Sequence, residues 1–251
     1  MKPKISVLVA ARKNSKYLAK FLFGYFANTG DRKNTEILVM LNLQDTWNQE
    51  LIDHFSLPPY NVKFFWENKK LGRAGLHLYF NDLLEHANGQ WVIYFCEDHF
   101  IIQDGWDERI RQFITTRELF HKDVYCLIPK FDNAGAMNQI LSRGYINALD
   151  GNLAHHGNLD SYINEVNGLA FGAAAFRPEG EGKPHDRILR FDDPAMFHDF
   201  THDVPSPMSD AHLQTVNVGR GKKLPKYEDP IIRELAQKDA DKLKVAIEGG
   251  R

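Results

Sequence analysis

Three scarcities narrow what this chain can be before any motif is read. Cysteine is nearly missing, with two residues in 251, Cys96 and Cys126. Both fall inside apolar runs that read as strands, so no disulfide framework is expected and a reducing compartment is the simpler setting. Long apolar runs are missing as well. None approaches the roughly 18 residues of a membrane span, and the run after Met1-Lys2-Pro3-Lys4 is too short for the core of a secretory signal, so a cytoplasmic protein is expected. A dominant charge sign is also lacking. The formal net charge is -2, which leaves no global electrostatic case for nucleic-acid or membrane binding. Internal repeats and low-complexity tracts are not evident. What remains is a chain long enough to bury a core without crosslinks, read as one large domain or one domain with an elaboration.

The most informative stretch runs from Asn68 to Trp106. It holds N-K-K-L-G-R-A-G, an amphipathic segment, and then W-V-I-Y-F-C-E-D-H-F-I-I-Q-D-G-W. Residues 91–96 are rich in aromatic and β-branched types, as a fully buried strand should be. That run ends abruptly in Glu97-Asp98-His99, which puts three polar, potentially metal-binding side chains at the carboxyl end of a strand. In open α/β sheets this is the edge where ligands sit. Apolar residues follow at once (Phe100, Ile101, Ile102), which turn chemistry alone explains poorly.

The first half alternates strands and helices. Residues 5–11, 36–41, 62–66, 91–96 and 124–128 read as strands, the last stopped by Pro129. Leu18, Phe21, Leu22, Tyr25 and Phe26 form one helical face after candidate N-caps at Asn14-Ser15. Leu76, Tyr79, Phe80, Leu83, Leu84 and Ala87 form a second, closed by Asn88-Gly89, and Trp106, Ile110, Phe113 and Ile114 a third. This pattern predicts an α/β fold with a mostly parallel sheet and right-handed crossovers. Beyond Phe131 the texture changes. Residues 131–166 read as an elaboration, partly helical around 138–149, and residues 168–176 (G-L-A-F-G-A-A-A-F) as a strand of small residues. Residues 209–218 look helical. Asp229-Pro230 opens a charged C-terminal helix expected to pack on the domain or on a partner.

At these residues the chain resembles a nucleotide-sugar-dependent glycosyltransferase of the GT-A fold, most like the inverting enzymes of glycosyltransferase family 2. I-S-V-L-V-A-A-R-K-N-S-K-Y-L (5–18) resembles that family's first strand and helix start. E-I-L-V-M-L-N-L-Q-D (36–45) stands where its second strand ends in a base-binding aspartate, and K-L-G-R-A-G (70–75) is similar to the segment before its next helix. C-E-D-H-F-I-I-Q-D-G-W (96–106) stands at its D-x-D region, and Ser209-Asp210 resembles its late E-D motif. The resemblance is good over residues 4–115 and weak over 168–224. The departures are Glu97-Asp98-His99 for D-x-D, Leu41 or Asn42 for the base-binding aspartate, and Ser209 for the glutamate partner.

The resemblance implies a GT-A-like nucleotide-binding, Rossmann-like mixed sheet with an irregular acceptor-side elaboration. One catalytic domain would span residues 1–228, with 4–130 as the donor half and 131–228 as the acceptor half, followed by a helix or tail over 229–251. It implies a nucleotide-sugar donor, a UDP-sugar favoured, held by Ala11, Arg12, Asn42, Arg73, Glu97 and Asp98. It implies Mn2+ or Mg2+ at Asp98, His99 or both, with His212 as a further ligand. Asp210 would be the general base for a hydroxyl acceptor: a saccharide, a lipid-linked glycan, a protein or a modified nucleobase. Such chemistry requires neutralising a pyrophosphate leaving group and deprotonating a hydroxyl held in line with it.

Plainer roles stand beside each of these. The triplet also fits a polar loop, Ser209 or Asp210 a helix N-cap, and the basic groups Arg12, Lys13, Lys69, Lys70, Arg73, Arg220, Lys222 and Lys223 a solvated surface. Asp203 is a rival base. His198 and His202 crowd the same late segment, while His155-His156 carries no ligand spacing. Trp47, Trp66 and Trp106 read as core or turn anchors. Other readings are a non-catalytic nucleotide- or sugar-binding module, a nucleotidyltransferase lacking the glycine expected in A-A-R-K-N-S, and an assembly scaffold using the C-terminal helix.

Overall fold

The structure is a computed structural model that describes residues 2–11, 15–68, 75–130, 138–157, 159–172, 185–190, 196–199 and 230–249. In chain order the strands are β1 (Ile5–Ala10), β2 (Thr35–Asn42), β3 (Lys63–Glu67), β4 (Trp91–Cys96), β5 (His99–Ile101), β6 (Cys126–Ile128), β7 (Ile140–Ser142), β8 (Ile188–Arg190) and β9 (Phe197–Asp199). The helices are α1 (Ser15–Asn28), α2 (Gln49–Ser56), α3 (Leu76–Glu85), α4 (Trp106–Thr116), α5 (Arg143–Ala148), α6 (Leu159–Phe171) and α7 (Pro230–Gly249).

Seven strands form one sheet in the order β3-β2-β1-β4-β7-β6-β8, and β5 pairs with β9 in a second. β1, β2, β3 and β4 are parallel, β7 runs antiparallel between β4 and β6, and β8 is parallel to β6. β1 is buried at every position, because helices cover both faces; a strand covered on one face only would alternate. Leu8, Leu38, Val92 and Tyr94 meet Tyr79, Phe80 and Leu83 of α3 together with α5, α6 and α7. Val7, Val9, Ile93 and Phe95 meet Phe21 and Leu22 of α1, Phe55 of α2 and Trp106 and Ile110 of α4. Full burial of one such aliphatic or aromatic side chain is worth about 1.5–3 kcal/mol.

The five strands and three helices expected in the first half are present. Helix α2 adds to them; it buries Ile52 and Phe55 on one face and starts where Asn48 accepts a hydrogen bond from the Leu51 N–H at 3.1 Å. The later half corrects one expectation and resolves the detail of another. Residues 168–171, expected in a strand, continue helix α6. Leu159, Tyr162, Ile163 and Val166 form a buried helical face against α7, whose Ala236 and Ala240 are fully buried in the same core, and this packing carries the helix through Gly168. The 138–149 segment splits into β7 and α5 at Ser142, whose hydroxyl caps α5 by accepting from the Tyr145 N–H at 3.1 Å. Residues 131–137, 173–176 and 209–218 lie outside the described residues.

Trp106 is fully buried, whereas Trp66 is 42% exposed on β3 and is no core anchor. Among the described residues no helix is long and apolar enough to cross a membrane.

One close approach in this region is testable. A β-carbon on Gly144 would overlap the carbonyl oxygens of Lys122 and Asp123, and the Gly144 N–H already donates to His121 O at 2.7 Å. Gly144→Ala is expected to lower unfolding free energy by about 2–3 kcal/mol, because the opposing atoms are main chain; urea denaturation checks this.

Candidate functional site

The registers of β1 with β2 and β4 pair Ala10 with Met40 and with Cys96. The carboxyl ends of the three central strands therefore finish side by side, and Ala11, Leu41-Asn42 and Glu97-Asp98 line one edge. Ala11 is fully buried, and its N–H donates to Met40 O at 3.0 Å.

Asn42 is 2% exposed. Its amide donates to the Tyr79 hydroxyl at 2.9 Å, its Oδ1 accepts from the Gln44 N–H at 2.8 Å, and its carbonyl accepts from Trp47 Nε1 at 2.8 Å. The side chain closes the end of β2 against α3, and the indole of Trp47 anchors the same turn. A ligand reaching this edge meets Asn42 only if some of these bonds are surrendered.

The Glu97-Asp98 turn is closed by a histidine. His99 is buried, and its Nδ1 accepts from the Cys96 N–H at 3.1 Å. In the neutral ring the proton then sits on Nε2, so neither nitrogen offers a lone pair to a cation in this arrangement. Asp98 differs. Its Oδ1 is buried, accepts no hydrogen bond, and lies 3.8 Å from His99 Nδ1. A buried acceptor without a partner is costly and calls for explanation. Among the described residues no cluster of three or more His, Cys, Asp or Glu groups can hold a metal ion. The residues present thus fit a cation held by one carboxylate plus ligand oxygens, as Mg2+ and Mn2+ commonly are at phosphates, rather than a closed protein cage.

The second sheet brings a distant part of the chain to this turn. β9 runs antiparallel to β5 and sets Asp199 opposite His99 and His198 opposite Phe100. Ile102 N–H donates to Met196 O at 3.1 Å and Met196 N–H to Lys130 O at 3.0 Å. β9 therefore ends beside the Glu97-Asp98 turn. Arg12, Arg73, Asp210 and His212 lie outside the described residues, as do His202, Asp203 and Ser209. His155 is elsewhere, with Nε2 3.5 Å from Asp239 Oδ2 on α7.

Sequence reasoning missed a polar lock behind β4. The Tyr94 hydroxyl donates to Asp160 Oδ1 at 2.8 Å and lies against the Gln139 side-chain amide. The Asn138 N–H donates to the same Asp160 oxygen at 2.6 Å, the Asn138 amide donates to Tyr94 O, and Gln139 Nε2 donates to Asn164 Oδ1 at 2.9 Å. Burial, then the Asp160 carboxylate, pushes the Tyr94 phenol well above its ordinary range, so it stays a neutral donor. The lock ties the last residues of β4 to the start of β7 and to the first turn of α6, where the helix dipole favours a carboxylate. One signal was available: a tyrosine within a buried strand needs a partner for its hydroxyl.

No protein-family model matches the chain, and no curated protein matches it in sequence. Solved structures match it in three dimensions. S. aureus TarS 1-349 in complex with UDP superposes with a TM-score of 0.59 at 14% identity, over 99% of this chain and 91% of that one. The same protein with UDP-GlcNAc gives 0.56 at 14% identity over the same shares. The mannosyltransferase PcManGT from Pyrobaculum calidifontis, with GDP-Man and Mn2+, gives 0.54 at 14% identity, over 100% of this chain and 76% of that one. The fold is GT-A. The mixed seven-stranded sheet and its flanking helices are those of GT-A glycosyltransferases, and the Glu97-Asp98 turn occupies the carboxyl edge of this GT-A sheet.

Proposed function

We propose that the chain is a glycosyltransferase that moves a sugar from a nucleotide-diphosphate sugar to a hydroxyl acceptor with inversion. The observation that carries this reading is the orphaned Asp98 Oδ1 at the carboxyl end of β4 in a GT-A fold. The UDP, UDP-GlcNAc, GDP-Man and Mn2+ named with the superposed structures support it. Mn2+ or Mg2+ would be held by Asp98 with donor phosphate oxygens, and when bound it would neutralise charge on the leaving pyrophosphate.

This chain's own residues do the rest of the work in the proposal. Ala11, Arg12, Arg73 and Glu97 hold the donor, a UDP-sugar favoured, and Asn42 shapes the end of β2 beside it. Asp210 accepts the acceptor's proton, and His212 stands by the metal. The resemblance of Ser209-Asp210 to a late E-D motif supports the assignment of Asp210. Residues 4–130 serve as the donor half and 131–228 as the acceptor half. Both cysteines are free, which supports a cytoplasmic setting.

A second reading, a nucleotide-binding module without turnover, is favoured by one observation: His99 Nδ1 accepts from the Cys96 N–H, which leaves the neutral ring's proton, not a lone pair, on Nε2. A donor panel separates the two. UDP-, GDP-, CMP- and dTDP-sugars are offered with Mn2+, Mg2+ or EDTA, and thermal shift and free nucleotide are read. One donor is expected to stabilise the protein by about 2.7 kcal/mol at a hundredfold excess over its Kd, only with metal, and to be slowly hydrolysed. Asp210→Ala should keep the shift and lose turnover. A shift without turnover under any condition favours the module, and no shift with any donor sinks both readings.

A further inference from the structure

β3 reads Lys63-Phe64-Phe65-Trp66-Glu67 and pairs on one side with β2. Among the described residues no strand lies beyond it. Leu43 N–H donates to Glu67 O at 2.8 Å, which fixes the alternation: the main-chain groups of residues 63, 65 and 67 face β2, and those of Phe64 and Trp66 face outward. Trp66 is 42% exposed on this edge. Lone edges are commonly blunted by charge, proline or a bulge. Here the two charges are of opposite sign, sit at the two ends, and bracket three aromatic rings.

We propose that this edge pairs with the same edge of a second copy of the chain, antiparallel, with the two-fold axis at Phe65. An isologous contact must match a surface to itself, and this five-residue strand does so in one register. With Phe65 opposite Phe65 of the second copy, Phe64 faces Trp66 and Trp66 faces Phe64. Both are outward-facing positions, so each pair exchanges two main-chain hydrogen bonds and the ladder to β2 is left intact. Lys63 then faces Glu67 of the second copy, twice by symmetry. Shifting the register by two residues in either direction keeps the hydrogen bonding but leaves both charge pairs unmatched. Lys63 already bonds Glu36 of β2 at 2.9 Å, so in the dimer its ammonium would sit between two carboxylates. The exposed Trp66 ring would be covered, and two seven-stranded sheets would become one.

Sedimentation velocity from about 1 µM to 1 mM tests this, with the fold of each variant checked by thermal melting. The wild type is expected to show a concentration-dependent monomer–dimer equilibrium. Trp66→Pro removes an outward N–H without touching the β2 ladder and should abolish association. Proline can also disturb the strand, so charge variants provide the second arm. Glu67→Lys alone and Lys63→Glu alone each create two like-charge pairs, which should weaken dimerisation about tenfold. An equimolar mixture of the two restores both attractive pairs and should associate more strongly than either variant alone. A wild type that stays monomeric throughout the range would overturn the proposal. So would charge variants that associate like the wild type, or a mixture no stronger than its components.

Discussion

Asp98→Ala is expected to remove metal-dependent donor binding and to cut nucleotide release by about 10²–10³-fold, the size typical when one group opposing developing charge is lost. The argument rests on an asymmetry within one turn. His99 spends Nδ1 on the Cys96 N–H, and Asn42 spends its amide on Tyr79 and Gln44. Asp98 Oδ1 is buried with no hydrogen bond. A group that serves stability is normally satisfied, whereas a group kept for a ligand bears a desolvation cost until the ligand arrives. The same substitution should therefore leave the ligand-free protein as stable as before, or slightly more so, since an unsatisfied buried acceptor is removed. Activity would fall while the melting temperature holds or rises. A clear loss of stability in the ligand-free protein would instead make Asp98 a structural residue and leave the metal assignment without its main support.

Asp107→Ala is expected to lower unfolding free energy by about 3–5 kcal/mol, the cost of breaking a buried ion pair by removing one partner. Asp107, in the first turn of α4, is fully buried. It accepts from Arg111 Nη1 at 2.6 Å, the Gly30 N–H at 2.8 Å, the Asp31 N–H at 2.9 Å and the Thr35 hydroxyl at 3.1 Å. Arg111 in turn donates to Pro3 O at 2.9 Å. The Asp107–Arg111 pair thus fastens α4 to the chain after α1, to the start of β2 and, through Arg111, to the chain before β1. Its removal strands a guanidinium that is 3% exposed. The double variant Asp107→Ala with Arg111→Met should recover part of the loss, because the stranded charge goes with it.

Burial opposes ionisation of Asp107, but the bonds from Arg111, Asp31 and Gly30 outweigh it and hold the carboxyl below its ordinary value. At Asp31 the Asn34 amide leads, and with help from Lys2 and Arg111 it outweighs burial and brings the carboxyl down to about 2. Both values are depressed on folding, so their contribution is fully present above the unfolded carboxylate range near about 4. It is lost as pH falls through the folded values. Wild-type stability should decline below about pH 4, and Asp107→Ala should show a shallower decline. Urea midpoints at pH 7 and pH 3 measure both effects, and a cost under about 1 kcal/mol at pH 7 would show the network to be dispensable.

Much of the fold was legible because the features concerned are local. A strand covered on both faces reads as a near-continuous apolar run, as residues 91–96 do, and a helix with one buried face must repeat as Leu76, Tyr79, Phe80 and Leu83 do. These periods follow from backbone geometry and need no knowledge of the partner. The same logic placed Glu97-Asp98-His99 at a strand's carboxyl end and recognised the C-terminal helix from Asp229-Pro230 and its spacing. Residues 168–171 show where local reading stops, since a small apolar run fits a strand or a helix and contact with α7 decided for the helix.

The site divides along the same line. By itself the sequence determined which side chains could reach the ligand edge, because strand direction and strand end are written in the chain. Only the tertiary structure decided what each side chain does there. Asn42 turns inward because Tyr79 of α3 passes beside it, His99 closes the turn on Cys96, and Tyr94 is locked because antiparallel β7 brings Asn138 and Gln139 to its level. Hydrogen-bond partners are chosen by whichever segment lies alongside, often dozens of residues away, and no period in the sequence encodes that choice. The unsatisfied oxygen of Asp98 stands out only once the hydrogen bonds of Asn42 and His99 beside it are traced.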